Sequence, residues 1–156
     1  MMHMSNLIFL LHLVPLNSAS SRGITPVNER GEIHRAIHFV FLNGGAVQLS
    51  TGTEVDAPRS GLVQRDMIEM LAVPGKFRLI ASPFKALGER STMREWWEPS
   101  ETGFRGNEKF GEDEIDSRKL CADVRWADEL FAEFFEHQGI SKKILDSTLS
   151  VWTPKP

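Results

Sequence analysis

The sequence predicts an α+β fold: a single domain with an antiparallel or mixed β-sheet packed against two main α-helices. The first reason is that 156 residues, with 41% hydrophobic and 25% charged side chains, suit one globular domain with a hydrophobic core. The second is that two segments carry apolar residues at helical spacing, while several short segments are continuously apolar or alternate between apolar and polar. We therefore expect one domain over residues 1–156, with flexible ends at residues 1–5 and 153–156.

The first half of the chain predicts a strand, a helix and a second strand. Residues 6–14 are apolar and predict a strand that is buried on both faces. The Thr-Pro pair at 25–26 is typical of a helix start. The Gly-Gly pair at 44–45 is typical of a helix end, because glycine adopts the left-handed conformation there. Residues 46–50 then predict a short strand. The buried helix face would consist of Ile33, Ala36, Ile37, Val40 and Phe41.

The apolar run near the N-terminus has a second interpretation as a secretory signal, since small residues follow it at 18–20. However, no Lys or Arg precedes Arg22, and His12 and Pro15 interrupt the run, so we favour the strand. The run is also too short to span a membrane.

The second half predicts a hairpin and a final long helix. Residues 62–73 and 76–81 flank a Pro-Gly pair that suits a type II turn, whereas residues 84–108 are the least regular part of the chain. Asp123 is a good N-cap for a helix that ends at Gly139. Residues 144–152 would form a short strand or an extended tail. The apolar face of the final helix would consist of Val124, Ala127, Leu130, Phe131, Phe134 and Phe135.

The acidity of the chain lies in one stretch. The net charge is −3, but residues 95–136 hold thirteen acidic and five basic side chains, which gives −8. Nucleic acid is disfavoured as a partner because phosphates attract Lys and Arg, whereas a basic protein or a cation fits better. The candidate partner-binding residues are Glu95, Trp96, Trp97 and Glu98; Glu112, Asp113, Glu114 and Asp116; and Glu129, Glu133 and Glu136.

Each of these three groups is a candidate binding surface for a different physical reason. In an extended segment one of the two tryptophans enters the core and the other faces outward as a binding anchor, although both could be core residues. The acids at 112–116 would divide between the two faces of a strand. This division argues against a calcium site or a hydrolytic pair of carboxylates, both of which need the carboxylates together. The remaining interpretations are a solvated acidic loop and a protein interface. The three glutamates of the final helix share one face, where Arg125 offsets only part of their mutual repulsion.

His34 and His38 are the candidates for a metal site. They are four residues apart on the first predicted helix, which places both imidazoles on one face, as in zinc-binding helices. The position after His34 is Arg35 rather than the glutamate of metalloproteases, and no third ligand is apparent nearby. We therefore expect no bound metal, with two partly exposed histidines beside the packed face.

The rest of the sequence offers no catalytic signature. Cys121, the single cysteine, excludes an internal disulfide and suits a reducing cytoplasm. Its acidic surroundings favour a small buried residue over a nucleophile. We find no nucleophile elbow, phosphate loop or dinucleotide fingerprint, so we expect neither enzymatic activity nor a cofactor.

Three segments follow one another in a distinctive order. They are AIHFVFLNGGAVQLS at 36–50, GKFRLIAS at 75–82, and RGNEKFGEDEIDSRKLCADVRWADELFAEFFEHQG at 105–139. This order resembles a family of small bacterial immunity proteins of the polymorphic-toxin and contact-dependent growth inhibition type. The resemblance implies a cytoplasmic antitoxin that binds a cognate toxin domain with a basic surface, such as a nuclease, and blocks its active site without contacting nucleic acid or membrane.

Two other interpretations stay open. One is a small metal- or ligand-binding protein or hydrolase that uses His34 and His38 or the acidic cluster. The other is a homo-oligomeric structural protein with Trp96 or Trp97 at the subunit contact, since the sequence leaves the oligomeric state undetermined.

Overall fold

A seven-stranded antiparallel sheet forms the centre of the computed structural model, which describes residues 7–16, 25–53, 63–83, 93–100, 103–153 and 155–156. In chain order the elements are β1 Leu7–Pro15, β2 Thr25–Val27, α1 Arg30–Asn43, β3 Gly45–Thr53, β4 Val63–Val73, β5 Lys76–Ser82, β6 Arg94–Trp96, β7 Asn107–Phe110, β8 Asp113–Asp116, α2 Val124–His137, α3 Lys142–Asp146 and β9 Thr148–Ser150. The strand order of the main sheet is β2-β1-β3-β4-β5-β6-β9, and β7 and β8 form a separate two-stranded hairpin. The predicted α+β class is confirmed.

The two long helices pack against one face of the sheet. Both helices bury the apolar side chains that the sequence predicted, except that Phe41, Val124 and Phe135 are only partly buried. Cross-strand partners such as Leu49, Ile68 and Ala81 supply the sheet side of this core. Burial of these apolar side chains fixes how α1 and α2 lie relative to each other.

The start of the first helix differs from the prediction. Residues 25–27 form β2, which pairs with the first strand so that Val27 lies opposite Phe9, and the helix begins only at Arg30. Pro26 is compatible with this position because β2 is an edge strand, where a missing amide hydrogen leaves no ladder bond unmade. Sheet pairing therefore outweighs the local Thr-Pro helix signal.

The predicted hairpin is confirmed. Val73 lies opposite Lys76, so the loop has two residues, and Gly75 has a φ of 85°, as the second central residue of a type II turn requires.

The C-terminal part is more ordered than the sequence predicted. A short helix, α3, takes up residues 144–146 of the segment that was predicted as a strand or extended tail, and the strand is limited to Thr148–Ser150. Ser141 caps α3 by accepting a hydrogen bond from the Ile144 amide at 3.4 Å. The carbonyls of Lys155 and Pro156 accept hydrogen bonds from Arg118 at 3.1 and 2.7 Å, which ties down an end that the sequence predicted to be flexible. The predicted flexible start at residues 1–5 lies outside the described residues.

Candidate functional sites: an acidic hairpin and a histidine–aspartate cluster

The acidic segment forms a small hairpin beside the main sheet. Phe110 pairs with Asp113 across a two-residue turn, where Gly111 has a φ of 62°, as the first central residue of a type II′ turn does. Lys76 at the start of β5 anchors β7, since its ammonium donates to the Glu108 carboxylate at 3.2 Å and to the Lys109 carbonyl at 3.0 Å. Glu112 thus lies in the turn and not in a strand, contrary to the prediction.

The hairpin tip holds the unpaired negative charge of the acidic stretch. Nine of its thirteen acids lie within ion-pair distance of a basic or histidine side chain, and a tenth, Glu101, is outside the described residues. The remaining three, Glu112, Asp113 and Glu114, are exposed and have no ion-pair partner in the described part of the chain. The tip therefore holds the described acids of this stretch that have neither a basic nor a histidine side chain within ion-pair distance.

The tryptophan segment lies inside the protein. Glu95, Trp96 and Trp97 are only 3%, 3% and 6% exposed, so the prediction that one tryptophan faces outward as an anchor is wrong. The reason is that Trp96 packs on Trp126 of α2, with ring centroids 5.7 Å apart, and that Arg118 lies over the ring of Trp97.

The two acids that flank the tryptophans, Glu95 and Glu98, form ion pairs within the protein. Glu95 forms ion pairs with Arg78 and Lys119. Glu98 pairs with Arg105 at 2.7 Å.

Asp116 also belongs to the interior and not to an acidic rim. It accepts hydrogen bonds from the guanidinium of Arg118 at 3.0 and 2.8 Å, and Arg118 is 1% exposed. These hydrogen bonds hold the pKa of Asp116 below its usual value. Arg118 also stacks over Trp97, with its central carbon 5.0 Å from the ring centroid. The pair is a structural clamp that joins this segment to the C-terminus.

Two of the three glutamates of α2 have a basic partner, contrary to the prediction. Glu136 pairs with Arg30 at 2.7 Å, and Glu129 lies 3.8 Å from Lys143. Glu133 lies 3.2 Å from the ring of His137. Two of the three partners come from α1 and α3, so the spacing of charges within α2 could not reveal them. Exposed pairs of this kind contribute at most about 1 kcal/mol each.

The structure brings a third residue to the two histidines of α1. His34 Nδ1 lies 3.0 Å from one carboxylate oxygen of Asp128, and His38 Nε2 lies 2.8 Å from the other. The imidazole centroids are 4.1 Å apart. Asp128 is on α2, ninety residues after His38, so helix packing and not sequence spacing creates this cluster. It borders a cleft of about 350 Å³ that Arg30, Gly31 and Arg35 also line.

Cys121 has the properties of a buried structural thiol. It is 4% exposed, and its thiol donates a hydrogen bond to the Asp123 carbonyl at 3.3 Å. Burial raises the pKa of the Cys121 thiol to about 11, and the negative charge of Asp123 acts in the same direction. We expect native protein at pH 8 to react with a thiol-specific reagent at less than about a hundredth of the rate of urea-unfolded protein, because the reactive thiolate is scarce and shielded. Equal rates, measured by absorbance against a Cys121→Ser blank, would contradict this burial.

The comparisons with known proteins support the fold alone. No protein-family model and no curated protein matches the chain. Among solved structures, a hypothetical protein from Neisseria gonorrhoeae is similar, with a TM-score of 0.60 and 9% sequence identity over 91% of this chain and 96% of that chain. No helix in the described ranges combines the length and apolar character needed to cross a membrane. At this identity the similarity shows a shared α+β architecture.

Proposed function

We propose that the protein is an immunity protein that binds and neutralises a cognate toxin domain through the tip of the β7–β8 hairpin. The observation that carries this proposal is that Glu112, Asp113 and Glu114 are exposed and form no ion pair in the described structure, whereas seven other acids of the same stretch pair with a Lys or Arg. Such a concentrated negative surface suits a basic toxin surface, and a nuclease cleft that normally holds phosphates is the best match.

A groove beside the tip adds an apolar component to this surface. It has a volume of about 530 Å³ and runs between the hairpin and the ends of the neighbouring sheet strands. Its lining combines apolar side chains with two acids of the tip and one arginine, which pairs with Glu95: Val14, Leu16, Leu71, Arg78, Phe110, Glu112 and Asp113. A Lys or Arg of the partner can pack its aliphatic stem in the groove while its charged end meets the carboxylates.

The proposed activity is stoichiometric binding and not catalysis. The toxin would be held with its substrate path blocked, and the protein would act in the cytoplasm, where the toxin would act. Electrostatic attraction by the tip would mainly accelerate association, because complementary charges steer the encounter of two proteins.

The proposal is tested by binding to a candidate toxin domain, sought in the genes that neighbour the one for this chain. We expect a stable complex, and protection of cells on coexpression. The variant Glu112→Gln/Asp113→Asn/Glu114→Gln should associate about 10- to 1,000-fold more slowly at low salt, and its association rate should depend much less on ionic strength.

A second variant serves as the control for net charge. Glu129→Gln/Glu136→Gln removes two exposed carboxylates that are 56% and 52% accessible but already paired. This variant should associate at close to the wild-type rate. If the protein forms no complex with the toxin domain and gives no protection, the proposed function is wrong. If the two variants slow association equally, the toxin does not bind through the tip of the hairpin.

A further inference from the structure

We propose that His34, His38 and Asp128 form a binding site for one divalent transition-metal ion of the zinc class. This site is separate from the hairpin and goes beyond the proposed function. Its three side chains each offer one ligand atom, and these atoms all lie within 4.8 Å of one another.

The distances suit a shared metal ion. Ligand atoms bound to one zinc at about 2.0–2.2 Å lie about 3.4 Å apart in a tetrahedral shell. The two nitrogen-to-oxygen separations are 3.0 and 2.8 Å and involve different oxygens of Asp128, so small rotations of the three side chains would bring one ligand atom of each to the tetrahedral spacing. The metal would replace the two hydrogen bonds that the imidazoles make to the carboxylate.

The scaffold already holds the ligands in position. His34 and His38 are one helical turn apart on α1, beside Ile33 and Ile37, which are 3% and 1% exposed. Asp128 follows the fully buried Ala127 on α2. Because these apolar neighbours lock the two helices together, the metal would not have to assemble its ligands from a mobile chain.

The ligand chemistry selects the class of metal. Two imidazole nitrogens and one carboxylate oxygen suit zinc, iron(II), cobalt and nickel, whereas magnesium and calcium prefer oxygen ligands. Three protein ligands leave at least one coordination position free, which is typical of catalytic and not of structural zinc sites.

The free position would face the cleft that lies beside the cluster, and two arginines line this cleft. Arg30 is neutralised by Glu136 at 2.7 Å. Arg35 is exposed and has no ion-pair partner within the described ranges. A positive side chain beside a bound cation favours an anion as the remaining ligand, so we expect a carboxylate, phosphate or hydroxide there.

Zinc titration of the full-length chain without a histidine tag tests this inference. After chelation and dialysis, we expect calorimetry with zinc chloride to show one ion per chain, and magnesium chloride to show none. His34→Ala and His38→Ala should each weaken zinc binding by at least about tenfold, because loss of even a supporting partner of a metal ligand has an effect of that size.

The matched control is His137→Ala. His137 and His34 are both surface histidines with 58% exposed side chains, but His137 lies outside the cluster. Its removal should leave zinc affinity unchanged. Circular dichroism would check that each variant is folded, and cobalt absorption would report nitrogen and oxygen ligands without thiolate.

Two results would overturn the metal site. One is the absence of zinc binding by folded wild-type protein. The other is equal affinity in wild type, His34→Ala and His38→Ala, which would assign zinc to adventitious surface binding. The variant Glu112→Gln/Asp113→Asn/Glu114→Gln should bind zinc normally, so failure of the toxin proposal and failure of the metal site are distinguishable.

Discussion

Phe134→Ala should lower the free energy of unfolding by about 3–5 kcal/mol, because removal of a fully buried phenylalanine leaves a cavity in addition to the lost burial. Phe134 is 0% exposed at the centre of the core. Its ring meets Phe9 of β1 edge-on, with centroids 6.3 Å apart, so the loss would loosen the contact between α2 and the first strand. Since native domains have a total stability of about 5–15 kcal/mol, this loss would be a large part of the total.

Urea denaturation monitored by tryptophan fluorescence would measure this effect. Leu42→Ala is the control, because Leu42 is an apolar residue of α1 that is 70% exposed. This substitution should change the free energy of unfolding by no more than about 0.5 kcal/mol. Similar losses in the two variants would contradict the assignment of Phe134 to the core.

Gly45→Ala should also be strongly destabilising, by about 3 kcal/mol or more, since an unfavourable backbone conformation alone costs about 1–3 kcal/mol. Gly45 has a φ of 130°, which side chains other than hydrogen rarely adopt. An added Cβ would also press against the carbonyl oxygen of Val14 and lie 3.0 Å from the Leu16 amide nitrogen. Both are backbone atoms of β1 and its end, so relief requires the strands to move apart.

Two other glycines separate conformational strain from this close contact. Gly75 has a φ of 85° but nothing within 4 Å of an added Cβ, so Gly75→Ala should cost about 1–2 kcal/mol from the left-handed conformation alone. Gly103 has open space and no positive φ, and Gly103→Ala should be within about 0.5 kcal/mol of wild type. Thermal melting of the three variants should rank them in this order, and any other order would contradict the close packing of β1 on β3.

The elements that the sequence predicted correctly are those with local causes. The β4–β5 hairpin follows from alternation around a Pro-Gly pair, and the N-terminus of α2 follows from Asp123, whose carboxylate accepts a hydrogen bond from the Arg125 amide at 3.1 Å. The start of α1 was predicted wrongly because residues 25–27 have a distant partner, β1, that the local pattern does not contain.

The candidate sites show the same division. The composition identified the acidic stretch, but it does not show which basic side chains lie close to each acid in the folded protein. The partner of Glu136 is Arg30, 106 residues away, and neither its presence nor the lack of a partner at Glu112 can be read from local spacing. Burial of Trp96 and Trp97 likewise depends on residues later in the chain, since Trp96 packs on Trp126 and Trp97 lies beneath Arg118.

The sequence by itself determined the α+β class, the two amphipathic helices, the main hairpin and the location of the negative charge, because periodicity, turn residues and composition act over short distances. Only the tertiary structure decided which acids remain unpaired at the hairpin tip, and that Asp128 meets His34 and His38. Both depend on how α1, α2 and the sheet pack together, and burial of apolar side chains that are far apart in the chain fixes that packing.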